Sequence, residues 1–336
     1  MALDFVVPAL VGLLPVGSFL AALLYLDSYK LVKLNAVIGI VACGAVVAGA
    51  CYLVNAWAMG VLRIDLIPFS RYVSPIIEET LKALVIVGLI RAHRIGFLVD
   101  AAIFGFAVGT GFALVENVYF LEIVRDAGIG TWIVRGFGTA IMHGGATAIY
   151  TVATLALIER VRPRLLAFGP GFVTAVILHS TFNHMFLSPK LSTLAVVVVI
   201  PPLILYVFHR SQKALADWLG SGFDSDAERL ELIQSGRLSD SPIGRYLATL
   251  KSRFAGPVVA DLLCYLRLHT ELAMRAKGLL LMRESGFDLP LDDETKAKFE
   301  ELVYLEKSIG RTGMLALQPV LPMSQKELWQ LQMLGK

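Results

Sequence analysis

Apolar runs of bilayer-spanning length follow one another along the first two thirds of the chain, at about 5–26, 34–59, 73–90, 97–121, 132–158, 169–187 and 192–208. A helix rising 1.5 Å per residue needs roughly 20 such residues to cross a hydrocarbon core of about 30 Å, so the pattern predicts seven spans. Val61 to Tyr72 (VLRIDLIPFSRY) is too short and too charged to span and reads as an interfacial or re-entrant piece. The first run lacks a basic n-region, which predicts a retained helix and not a cleaved signal. From Ala214 the pattern turns amphipathic. Val258 to Ser285 and Asp292 to Arg311 read as two helices packed as a hairpin around the turn GFDLPLDD, and Phe223 to Pro242 reads as a hinge. The expected fold class is all-α: a polytopic membrane bundle of about seven spans (1–210), followed by a soluble, cytoplasmic α-helical tail (211–336). Regulation, or homo-oligomerisation through the tail, is its expected use.

Composition agrees with that division. The chain is 56% hydrophobic and 17% charged, with a mean hydropathy of +0.69. Of its 57 Asp, Glu, Lys and Arg residues, 32 lie from Ala214 onward, 15 basic and 17 acidic. Near-balance there, and a net charge of +3 overall, exclude a nucleic-acid partner. Cys43, Cys51 and Cys264 form no CxxC pair or even-numbered framework, and are read as small buried residues. Alternate loops carry Lys30, Lys33, Arg91, Arg94, Arg160, Arg162, Arg164, Arg210 and Lys213, and the opposite side carries Arg63, Arg71, Arg125, Arg135 and Lys190. Nine basic residues against five put the N-terminus outside and the tail in the cytoplasm.

Polar side chains interrupt four of the runs at matching depth. Glu78 lies about five residues from the outer end of its helix, Glu116 about five from that of the next, and His179 and Asn183 about eight and four from theirs. His143 lies about eleven residues in on a longer helix, whose tilt brings it to the same layer. In PIIEETLKALVI (Pro75 to Ile86), helical rotation sets Lys82 about 40° from Glu78 and 60° from Glu79. The lysine balances one carboxylate, and the other needs a further partner or stays protonated, as a group poised for acid/base work does. Gly105, Gly109, Ala113 and Glu116 share one face, so small residues carry Glu116 into a helix interface. His179 and Asn183 are four apart and share a face, whereas His184 points about 140° away. Arg135 stands near a helix start, where anchoring at the interface is its plainer reading.

Ionisable groups are rare and costly within a bilayer, and several at one depth imply shared chemistry. HExxH, GxSxG and an intramembrane aspartate pair are all missing, with only Asp100 near a helix start. A transporter or proton pathway using the same charges, and a non-catalytic scaffold or sensor, stay open beside a hydrolase.

At EETLK (Glu78 to Lys82), FGFAVGTGFALVEN (Phe104 to Asn117), the Arg135 to Thr147 segment with His143, and HSTFN (His179 to Asn183), the chain resembles the PrsW intramembrane proteases, related to the CAAX prenyl endopeptidases. The resemblance covers roughly 5–210. It implies an intramembrane endopeptidase that cuts membrane protein substrates within the lipid bilayer, anti-sigma factors in the case of the family's namesake. It also implies that Glu78 or Glu79 activates water, that Glu116, His143 and His179 complete the site, and that Asn183 helps to bind the oxyanion. Two histidines and up to three glutamates suit a divalent metal such as zinc, and a metal-free glutamate mechanism stays open beside it.

Overall fold

The computed structural model describes residues 2–124, 127–287, 289–321 and 324–334. Arg125, used above for charge placement, and Asp288, within the expected turn, lie outside the described residues. Among the described residues every regular element is helical. The chain forms two compact units, 1–212 and 213–336.

The first unit contains α1 (Ala2–Leu26), α2 (Leu34–Leu62), α3 (Ser74–Arg91), α4 (Leu98–Ile123), α5 (Ala140–Ile158), α6 (Phe168–His184) and the first part of α7 (Pro189–Gln234). Among the described residues six helices are long and apolar enough to cross a membrane. The helix α3 falls outside that group because Glu78, Glu79, Lys82 and Arg91 dilute its apolar character. At 18 residues it still measures about 27 Å. Most of α4 is buried, at the centre of the unit, while α1, α2 and α6 leave most of their surface outward, as expected where the solvent is lipid.

Close backbone approach locks α4 in place. A Cβ at Gly109 would stand 2.3 Å from the carbonyl oxygen of His143, and one at Gly105 would stand 2.7 Å from Cα of Ala148. The small-residue face read from the sequence is therefore a contact surface, and α5 is its partner. Asp100 is buried and accepts from the backbone N–H groups of Gly96, Phe97 and Ala101, at 2.8, 2.7 and 3.0 Å. It caps α4, a structural use of that aspartate.

Three expectations change. Val61 to Tyr72 is not one separate short piece: α2 runs on to Leu62, and a helical turn (Leu66–Pro68) and a π-helical turn (Phe69–Val73) lead without a break into α3. Phe223 to Pro242 is no simple hinge, since α7 continues to Gln234. Ala227 to Leu232 favours helix, and Asp226 is drawn into a buried ion pair with Lys277 at 2.5 Å. Of the three cysteines only Cys51 is buried.

The second unit contains the rest of α7, then α8 (Pro242–Leu250), α9 (Gly256–Glu284), α10 (Asp293–Leu317) and α11 (Gln325–Leu334). Its core joins Leu262, Leu266 and Leu272 of α9 to Leu302, Leu305 and Ile309 of α10. Asp292 caps α10 through the N–H of Thr295 at 2.7 Å. His269 is buried there, and burial pushes its imidazole down to about 4.

Candidate active site

Two π-helical turns set up the polar cluster. Phe69–Val73 precedes α3 and Val134–Thr139 precedes α5, so one leads into the glutamates and the other into His143. A π-turn widens the backbone ring and leaves carbonyls in need of partners, and α6 supplies them for the first turn. Ser180 Oγ donates to the carbonyl of Arg71 at 2.7 Å, and Asn183 Nδ2 donates to that of Ser70 at 2.9 Å. These two bonds fix the helix of His179 against the helix of the glutamates.

Five of the six residues singled out in the sequence are brought together. The ligand atoms of Glu78, His143 and His179 lie within 4.8 Å of one another. Glu79 Oε1 is 2.8 Å from His179 Nδ1, and Glu116 Oε2 is 3.0 Å from His143 Nε2. Asn183 is the one set apart, with its amide committed to Ser70. His184 is turned to the carbonyl of Ser180, in keeping with its exclusion.

Lys82 is fully buried and chooses Glu79: Nζ donates to Oε1 at 2.6 Å. The same ammonium is 3.0 Å from His143 Nδ1 and 4.3 Å from the centre of the Phe112 ring. An ammonium has only protons to give, so His143 Nδ1 accepts and its Nε2–H donates to Glu116. On His179, Nδ1–H donates to Glu79, which leaves the Nε2 lone pair facing Glu78 Oε2 at 3.8 Å. Glu78 is fixed through its other oxygen, which accepts from Ser74 Oγ at 2.6 Å and Asn55 Nδ2 at 3.2 Å.

Arg135 joins the cluster through Glu116. Its Nε donates to Asn117 Oδ1 at 2.9 Å, its guanidinium lies 3.3 Å from Glu116, and it covers the Phe120 ring at 3.6 Å. Three carboxyl groups thus face two cations, Lys82 and Arg135. Asn55 and Ser74 escaped the sequence reading, although Asn55 is an amide deep in the apolar run of α2 and Ser74 stands one turn before Glu78.

The donors suit a divalent cation. Two imidazoles and a carboxylate form a ligand set of catalytic zinc, and an imidazole held through its other nitrogen by a carboxylate, as His179 is by Glu79, is how such ligands are oriented. On a tetrahedral ion with bonds near 2.05 Å, neighbouring ligand atoms are about 3.4 Å apart, close to the 3.8 Å between Glu78 Oε2 and His179 Nε2. His143 can offer Nε2 by releasing Glu116, whose side chain is 29% exposed, whereas Lys82 on its other nitrogen is fully enclosed.

A helical bundle that keeps a buried, charged and metal-competent cluster inside an apolar shell has the make-up of a membrane-embedded hydrolase. The family model described as PrsW family intramembrane metalloprotease matches residues 33–207. The chain belongs to this family and is a multi-pass membrane protease. No curated protein and no solved structure matches the chain.

Proposed function

We propose that the chain hydrolyses peptide bonds of membrane-anchored proteins, with Glu78, His143 and His179 holding a divalent metal, zinc by the character of the donors. The observation that supports this best is the convergence of three ligand atoms from α3, α5 and α6 within 4.8 Å. When bound, the cation would act as a Lewis acid and make its water a nucleophile near neutral pH.

The chain's own groups have separable tasks. Glu79 keeps His179 in the tautomer that exposes Nε2, and Lys82 holds the ring of His143 while neutralising Glu79. Glu116, once His143 is turned from it, is a carboxylate free to take the proton of the attacking water. It then delivers that proton to the leaving amine nitrogen as the C–N bond breaks, so that the products are a carboxylate and an amine. Arg135 holds Glu116 in reach. Asn183 serves by joining α6 to the turn before α3, since its contact with Ser70 supports positioning in place of the oxyanion role that the resemblance implies.

The substrate class we propose is a membrane-anchored regulatory protein, for which an anti-sigma factor is the model the resemblance offers. The peptidase work falls to the first unit (1–210 in the sequence reading), and the helical second unit is assigned to regulation or self-association. With Arg135 withdrawn from the loop count, nine basic residues against four support an outside N-terminus and a cytoplasmic C-terminus.

Elemental analysis of the purified, lipid-embedded protein tests the assignment. One divalent ion per chain is expected, falling severalfold in Glu78→Ala and His179→Ala variants that keep their thermal transition. Equal metal content in wild type and variants would remove these residues from the site.

A further inference from the structure

Beside the cluster lies a cavity of about 540 Å³ between α2, the turns that lead into α3, and α4, with Glu78 and Glu116 both in its wall. That volume is typical of a binding cleft. The rest of the lining is mostly apolar, including Met59, Phe69, Phe112 and Val115. Tyr52 and Leu66, also in the lining, are more than half exposed, and in a membrane protein such outward apolar residues face lipid. The cavity is thus reached from the bilayer, and its inner end is the polar cluster.

One polar atom in this lining is left over among the described residues. Asn55 donates through Nδ2 to Ser74 and Glu78, while its Oδ1 is buried with no hydrogen-bond partner among the described residues. A buried acceptor left unpaired is costly, and one beside a binding cleft points to a donor that arrives with the ligand.

We propose that this cavity binds an unwound, apolar stretch of a membrane-spanning substrate, and that Asn55 positions it by accepting a backbone N–H through Oδ1 while Nδ2 holds Glu78. The inference rests on the reading of Glu78 as part of the reactive site. Inside a helix every backbone N–H is bonded to the carbonyl four residues earlier, so an intact substrate helix has nothing to offer Asn55. In lipid an N–H freed by unwinding finds no water, and the Oδ1 of Asn55 meets that need at the point where the bond must be presented. Substrates whose spanning segment is interrupted by glycine or proline, the poorest helix formers, are therefore preferred.

The test uses the full-length protein in lipid bilayers and a synthetic single-span Leu/Ala peptide with lysine ends and a central Gly-Pro. One version carries a photoreactive benzophenone near the centre, and a series replaces single amides by esters, which removes one N–H at a time. Crosslinks are expected on α2 around 52–59 and on the turns at 66–70, with crosslinking about tenfold weaker for the ester at one position. That position-specific loss should vanish in Asn55→Ala, and should persist in Asn55→Asp, which keeps an acceptor. Adducts mapping elsewhere, or an ester effect identical in wild type and Asn55→Ala, overturns the proposal. Crosslinking with the expected ester pattern but no cleavage supports the cleft and instead overturns the hydrolytic reading of the cluster.

Discussion

The imidazole of His179 presents Nε2 to Oε2 of Glu78 at 3.8 Å, too far for a hydrogen bond and close to the spacing of two ligands on one ion. The other nitrogen of His179 and the other oxygen of Glu78 are both engaged, by Glu79 and by Ser74 with Asn55. Each residue is thus held with one free atom turned to its neighbour, across α6 and α3.

Glu79 should be needed for stability as well as activity. Glu79→Gln leaves the enclosed Lys82 without its counter-charge, and breaking a buried pair in this way costs about 3–5 kcal/mol. The double variant Glu79→Gln/Lys82→Met should recover most of the lost thermal stability and none of the hydrolysis, as read by melting in detergent alongside peptide cleavage. Recovered hydrolysis in the double variant would show that the pair serves stability alone.

Arg135 should resist conservative replacement. Lysine keeps the charge of Arg135 but cannot bond Asn117 and Glu116 while lying flat on Phe120. Loss of one charge-assisted hydrogen bond, about 1.5–3 kcal/mol, corresponds to a fall in kcat of about tenfold or more for Arg135→Lys with KM little changed. An unaltered kcat would return Arg135 to a structural role.

The contact of α4 with α5 tolerates no added methyl group at Gly109. In Gly109→Ala the new Cβ meets the carbonyl of His143, and the two helices must separate at the site. A destabilisation of about 1–3 kcal/mol is expected, with a loss of hydrolysis larger than that of Gly88→Ala, where a Cβ meets open space. Equal effects of the two changes, measured by melting and cleavage, would contradict this packing account.

The second unit should weaken in mild acid because of His269. Its folded pKa of about 4 lies below the usual 6.5, so the unfolded chain binds the proton first and stability falls as pH drops from about 6.5 to 4. The full shift is worth about 3 kcal/mol. Urea unfolding of intact wild type and His269→Leu at pH 7 and pH 5 should show a smaller pH-dependent loss in the variant. Equal losses would exclude His269 as the cause.

Much of this was legible from periodicity alone, for a physical reason. Lipid forces each spanning backbone to satisfy its own hydrogen bonds, so an apolar run of sufficient length is already a helix, and a costly polar residue within it stands out. That logic reaches Glu78, Glu79, Glu116, His143 and His179. It does not decide pairing. On a helical wheel Lys82 reaches either glutamate, and the choice of Glu79 depends on His143 and His179 arriving from α5 and α6. Nor does it show Arg135, which lies near a helix end in sequence, within the second π-turn, and meets Glu116 and Asn117. Asn183 shares a face with His179 as the spacing requires, yet the first π-turn claims its amide. The family match covers 33–207, so the second unit was legible only as amphipathic helices.

The central claim is that Glu78, His143 and His179 hold a metal that hydrolysis requires. Its most direct test is cleavage of a single-span membrane peptide by protein stripped with a chelator and then given back stoichiometric zinc, with folding checked by melting. Activity that disappears on stripping and returns with zinc in wild type, but not in His179→Ala, is the expected result. Full activity in stripped, metal-free wild type would contradict the account and leave the glutamates to work without a metal.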